Sequence, residues 1–202
     1  MSADAPWGVV QWPPAPGTVL RCEGVSLAHS TPQDAYALFR ALDDDTVWAH
    51  VRGRPHTADE LAVTLADATA VGRFPWTVRE GTRVVGTTSF LDVSRDDARL
   101  EIGFTVYAQV VWGTAVNPAC KLALLTWAFE HGFGRVQLKT DVRNTRSQQA
   151  IARLGAQHEG VLRRHQRRAD GSIRDSVLFS VTVEDWPSVR AGLLARLAAR
   201  RA

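Results

Sequence analysis

Two short runs hold the residues best suited to chemistry. In "LEIGFTVY", Leu100 to Tyr107, a lone carboxylate, Glu101, interrupts a strand-like, largely apolar stretch. A carboxylate on a central strand is costly unless a cation matches it or the protein uses it. Glu101 is therefore either a structural ion-pair partner, of Arg99 or Arg174, or a working base. Shortly after it, "VVWGTAVNPAC", Val110 to Cys120, sets a small-residue turn between that strand and a helix led by Asn117 and Pro118. Unpaired N–H groups at a helix start attract anions. Gly113, Thr114, Ala115, Val116 and Asn117 have such amides, whereas Pro118 has none. The same turn also reads as nothing more than a tight connection.

Several chemistries are excluded by what surrounds these runs. Thr114-Ala115-Val116 stands where a P-loop needs Gly-Lys-Ser/Thr, and the three-glycine dinucleotide fingerprint is missing. No Gly-x-Ser-x-Gly elbow is present, and His29, His50, His56, His131, His158 and His165 show no metal-ligand spacing. Cys22 and Cys120 are the only cysteines and stand far apart, which argues against a disulfide scaffold or a zinc site and points to a reducing, cytoplasmic setting. No metal is expected.

The elements that must position Glu101 and the turn follow from periodicity. The chain has 202 residues, 45% hydrophobic and 22% charged, enough for one domain with a proper core. Residues 1–16, with Pro6, Pro13, Pro14, Pro16, Trp7 and Trp12, read as an extended arm. A single domain is expected over 17–183 and a helical tail over 184–202. Thr31 caps a helix led by Pro32, and a second helix starts near Thr57. "PWTVRE" and "RVVGTTSFLD" alternate as a hairpin around Gly81. In the next run, alternation puts Leu100, Ile102, Phe104 and Val106 on one face and Glu101, Gly103, Thr105 and Tyr107 on the other. A helix, the strand "RVQLKT", a helix capped by Asn144 and stopped by Gly155, and a hairpin around Asp170-Gly171 complete the pattern. The fold class is α+β: a mostly antiparallel twisted sheet of about seven strands flanked by helices.

This order of elements resembles the GNAT acyltransferases, most closely the branch related to RimJ and RimL. "LEIGFTVY", the stretch from Trp112 to His165 and "DGSIRDSVLFSV" carry the resemblance. It implies a sheet with one splayed strand pair and acetyl-CoA as donor, its pantetheine arm lying along Phe104, Thr105 and Val106. It implies that the diphosphate sits on the Gly113 to Asn117 amides and that Asn144 helps hold the cofactor arm. Ser147 matches a family serine near the sulfur, suited to protonate the leaving thiolate. Val110 departs from the Gln or Arg usual there, and Ala115 from the commoner glycine. Trp48 and His50 fall in the region that covers the acceptor site, and His165 is a further acceptor-side candidate.

Acyl transfer to an amine needs a base for the amine, stabilisation of the thioester oxyanion and a proton for the thiolate. Glu101 is the candidate base and Ser147 the candidate acid. The expected activity is N-acetylation of a primary amine, on a peptide N-terminus or a small molecule, by direct attack in a ternary complex. The alternative is a catalytically silent acyl-CoA-binding regulatory module. The formal charge is +3, with Arg163, Arg164, Arg167, Arg168 and Arg174 crowded together and more Arg in the tail. These are solvated faces or anion contacts. The phosphates of CoA suffice as their partners, so nucleic acid is not expected. No membrane span is expected, and the arm and tail are candidate homodimer contacts.

Overall fold

A computed structural model describes residues 9–200. Its strands are β1 (Val19–Cys22), β2 (Val25–His29), β3 (Phe74–Glu80), β4 (Arg83–Ser94), β5 (Arg99–Tyr107), β6 (Arg135–Asp141), β7 (Gln157–Arg167) and β8 (Ile173–Thr182). They form one eight-stranded sheet in the order β1-β2-β3-β4-β5-β6-β8-β7, one strand more than expected because the run after Thr18 folds into a β1–β2 hairpin. Every neighbouring pair is antiparallel except β5–β6. That pair is parallel because the chain crosses back through a helix, α4 (Val116–Glu130), between its two strands.

Helices cover the two faces unequally. On one face lies α4, which is buried almost all round: Ala119, Cys120, Leu124, Leu125 and Ala128 have no exposed surface. A helix apolar on every side needs a cover on every side, and α6 (Trp186–Ala198) supplies the outer one through Val189, Leu193 and Leu197. Trp186-Pro187 opens α6 rather than interrupting it, since proline fits the first turn of a helix. Val10 and Trp12 join this same core. The Trp12 ring meets Phe74, Phe90, Trp127 and Phe133 edge-on, and the Gln11 amide donates to the His131 carbonyl at 2.9 Å. Trp7 lies outside the described residues.

On the other face, α1 (Ala35–Leu42), α2 (Asp45–Trp48) and α3 (Ala58–Ala66) form a second cluster with Phe104 and Val106 of β5. The short α2 has no periodicity to announce it. Asp44 starts it by accepting from the Thr46 amide at 2.7 Å, and Trp48 closes it by donating to the Leu42 carbonyl at 2.8 Å.

The expected alternation along β5 holds only as far as Gly103. Ser89 pairs with Gly103 but Thr87 pairs with Val106, so one extra β5 residue is accommodated at Phe104, whose φ is +46°. Such a bulge inverts every side chain beyond it. Leu100 and Ile102 therefore face α4, whereas Val106 faces the α1–α3 cluster, and Thr105 turns toward α4, where it meets Lys121.

Candidate active site

The parallel β5–β6 pair ends almost as soon as it begins. Its register runs only over Arg99↔Arg135, Leu100↔Val136 and Glu101↔Gln137. Beyond Glu101, β5 stays on β4 and β6 stays on β8, and the two diverge. A cleft of about 790 Å³ opens there, and both Ile102–Tyr107 and Leu138–Asp141 line it. Past Glu101 and Gln137 these two facing edges have no strand partner among the described residues, so an extended amide-bearing arm can pair with them as a strand would.

Glu101 sits in the fork. It is 8% exposed, and its Oε2 lies 2.8 Å from Lys139 Nζ, across the point where the strands part. Burial pushes the Glu101 carboxyl above its ordinary pKa, with Lys139 and then Arg174 pulling the other way. The expected ion-pair partners are corrected here: Arg99 turns to Asp92 and Asp97, and Arg174 acts on Glu101 only at longer range, because the parallel crossover sets Lys139 beside it. A Cβ at residue 103 would stand 2.7 Å from Glu101 Oε1 and 2.9 Å from Leu91, so any larger side chain there would displace the end of Glu101 or Leu91.

The turn after β5 is built by its own side chain. Thr114 donates to the Val111 carbonyl at 2.8 Å and accepts from the Val116 amide at 3.3 Å. The Thr114 amide also donates to Val111, at 3.3 Å, which leaves the amides of Gly113, Ala115 and Asn117 without a protein acceptor among the described residues. Gly113 has φ +74°, a conformation that favours glycine. Its carbonyl accepts from Arg200 at 2.7 Å, so the segment after α6 reaches this turn. Arg146, stacked 3.4 Å over the Trp112 ring, lines the cleft near this turn, together with Arg153 and Arg196.

Across the cleft, α5 (Thr145–Ala152) begins directly after β6. Asn144 caps it, its Oδ1 accepting from the Ser147 amide at 3.0 Å. Behind the cap, Arg168 forks onto Asp141, Nε to Oδ2 at 2.6 Å and Nη2 to Oδ1 at 2.9 Å, tying the β7–β8 hairpin to the end of β6. Asp141 is 2% exposed. Burial would raise its carboxyl pKa, but Arg168 and the Arg143 amide together hold it below the ordinary value.

Most of the expected site residues meet in this cleft. Glu101, Phe104, Thr105, Val106, Gly113, Thr114, Asn117, Asn144 and Ser147 all line it, as does His50. Ala115 and Val116 lie in the turn but not on its wall. Trp48 does not reach it and packs edge-on against Phe104 in the second cluster. His165 lies beside it, bonded through Nδ1 to Ser176 Oγ at 3.0 Å. Two further lysines belong to the site. Lys139 could have been suspected from its period-two place in "RVQLKT". Lys121 reads in sequence as an ordinary polar helix residue, yet it is 5% exposed, and its Nζ donates to Thr105 Oγ1 at 3.2 Å.

A forked strand pair, a glycine turn leading into a helix and a second capped helix form a recurring architecture, and the acetyltransferase (GNAT) domain model matches residues 25–157 of this chain. The chain belongs to the GNAT acetyltransferases. It is 26% identical over 175 residues to the uncharacterized N-acetyltransferase p20 of Bacillus licheniformis, spanning 83% of this chain and 97% of that one. A T. thermophilus structure described as an acetyltransferase is 36% identical, with TM-score 0.82 over 93% of this chain and all (100%) of the other. The Mycobacterium smegmatis RimJ complex with CoA-disulfide shares the fold at 24% identity, with TM-score 0.76 over 91% and 94% of the two chains. As a GNAT protein the chain is an acyltransferase, and the family uses acetyl-CoA with an acceptor. Among the described residues, no helix is long and apolar enough to cross a membrane.

The residues present suit acetyl-CoA. The unpaired β5 and β6 edges match an arm that carries amides. The unpaired Gly113 and Asn117 amides, both from residues on the cleft wall, match a diphosphate, and Arg146, Arg153 and Arg196 match its charge.

Proposed function

We propose that this GNAT protein acetylates a primary amine by direct attack within a ternary complex. The observation that carries the reading is Glu101, a buried carboxylate with a raised pKa held at the fork where the two strands part. Acetyl-CoA, when bound, supplies the acetyl group as an activated thioester. The chain's own contributions are positional and protonic. The free β5 edge aligns the arm, and the turn amides with Arg146, Arg153 and Arg196 hold the phosphates. Glu101 accepts the proton that the attacking amine must lose, directly or through one water. Lys139 keeps that carboxylate in place and limits the rise of its pKa. Ser147, in the first turn of α5, offers its hydroxyl proton to the departing thiolate.

Two features of the site support a working enzyme over a silent module. Lys139 matches the Glu101 charge without covering the carboxylate, which still lines the cleft, and Gly103 adds no side chain beside it. The test is free-thiol release from acetyl-CoA across a panel of peptides, amino acids, polyamines and aminoglycosides. Turnover with at least one amine, abolished in Glu101→Gln with acetyl-CoA binding retained, supports the proposal. Tight acetyl-CoA binding with no thiol release from any amine would count against it.

A further inference from the structure

The α1–α3 helices pack on β4 and β5 of their sheet face, and among the described residues their buried cluster includes none from β6, β7 or β8. Over these three strands, Lys139 of β6 pairs with Glu101 and Arg174 of β8 acts on it at longer range, while burial and these two cations push the His165 imidazole of β7 below its ordinary pKa. Arg174 Nε and His165 Nδ1 converge on the same oxygen, Ser176 Oγ, each at 3.0 Å. Arg167, from the hairpin, and Arg52, from the segment after α2, line the mouth. The two carboxylates that line the cleft, Glu101 and Asp141, are already ion-paired, while Asp175, next to Arg174, accepts from the Arg164 amide. Glu101 pairs with Lys139, Asp141 with Arg168, and Asp92 is divided between Arg99 and Lys139. Asp43 and Asp45 pair with Arg54 and do not line the cleft.

Arg174 is the informative residue. It is half-buried, its side chain hydrogen-bonds a neutral hydroxyl, and no carboxylate ion-pairs with it among the described residues. Asp141 and Glu101 act on it only at longer range and are themselves ion-paired to Arg168 and Lys139, so a guanidinium partly withdrawn from water without a direct ion-pair partner favours an anion that arrives with a ligand. Arg146 stacks on Trp112 beside the turn and Arg196 donates to the Arg153 carbonyl, which suits these three to the cofactor's phosphates, whereas Arg174 sits on β8 beside Ser176 and His165, within electrostatic reach of Glu101.

We propose that the acceptor carries an anionic group close to its reactive amine, bound by Arg174 with Arg167 and Arg52 while the amine reaches Glu101. This rests on the N-acetyltransferase reading and narrows it to free amino acids or to peptide N-termini followed by an acidic residue. Polyamines and aminoglycosides are excluded, because their extra positive charges would meet uncompensated cations.

The test compares kcat/KM for alanine against alaninamide, for C-terminally amidated Ala-Asp against Ala-Lys peptides, and for spermidine. The expected result is at least a roughly tenfold preference for the anionic member of one pair, as charge-assisted hydrogen bonds provide. The pair that responds distinguishes an amino acid from an acidic N-terminus. The preference should fall toward unity in Arg174→Gln, and in Arg167→Gln, an exposed position whose replacement leaves the fold alone. Equal rates, a preference for the neutral or cationic member, or a preference unchanged in both variants overturns the acceptor assignment while leaving N-acetylation standing. If no amine releases thiol, the N-acetyltransferase reading fails instead. Calorimetric binding of the same pairs to the CoA-loaded protein then decides the charge preference on its own, equal affinities overturning it.

Discussion

Glu101 Oε2 and Lys139 Nζ meet at 2.8 Å, bridging β5 and β6 from the last residue pair that holds those strands together, Glu101 with Gln137. The contact neutralises a buried carboxylate without enclosing it, because the cleft opens on the next residue. A structural ion pair and a catalytic base make different predictions at this point. Glu101→Gln should lower kcat by roughly 10² to 10⁴, the range for loss of general-base help, while leaving the acetyl-CoA dissociation constant within about threefold. Since burial raises the Glu101 pKa, the wild-type rate should climb with pH as the carboxyl loses its proton, and this acid limb should vanish in the variant. A purely structural pair would instead show a lower melting temperature with the limb intact.

Lys121 sits at a stability cost beside the cleft. Burial lowers its pKa from 10.5 to about 8. Below about pH 8 it is charged in both folded and unfolded chains, so the full penalty applies. Between about pH 8 and 10.5 the folded chain gives up its proton first, the unfolded chain holds more protons, and stability rises with pH. At 1.36 kcal/mol per pKa unit the penalty is on the order of 3 kcal/mol, offset by about 1 kcal/mol for the hydrogen bond to Thr105. Lys121→Met should therefore stabilise the protein at pH 7 by about 2 kcal/mol. Denaturant melts at pH 7 and pH 10 check this, and the gain should shrink at the higher pH.

The turn makes a comparative prediction. Gly113 has φ +74° with no atom within 4 Å of where a Cβ would stand, so its role is conformational, and a β-branched residue would pull the turn out of shape. Val110 is 65% exposed. Gly113→Val should weaken acetyl-CoA binding by roughly tenfold or more, from about 1–2 kcal/mol of backbone strain, whereas Val110→Ala should leave it nearly unchanged. Titration calorimetry distinguishes the two, and equal losses would remove the turn from the cofactor site.

Trp12 tests whether the segment before β1 belongs to the folded unit. Its ring touches four aromatic rings of the main core. Trp12→Ala should cost about 3 kcal/mol by the usual scale for deleting a large packed ring, seen as a shifted urea midpoint with an unchanged slope. A shift under about 0.5 kcal/mol would mean that the segment only rests on the surface.

What the sequence determined by itself is whatever short-range chemistry encodes. The Asn144 cap, the Gly113 turn, the proline-led helix starts and the Asp170-Gly171 hairpin depend on a few adjacent residues, so they could be read without a fold. Glu101 was legible as an anomaly because an unmatched carboxylate in an apolar strand is costly in any sheet. Tertiary structure alone decided the rest. The parallel β5–β6 pairing placed Lys139, rather than Arg99 or Arg174, beside Glu101. The bulge at Phe104 inverted the faces of Thr105 and Val106, which no alternation count could register because the extra residue shows only against its partner strand. Lys121 became a buried group only when α4 packed under the fork, and Arg174 came to share the Ser176 hydroxyl with His165 only when β7 and β8 paired. Each of these depends on residues distant in the chain, and a pairing between distant segments leaves no mark on either one alone.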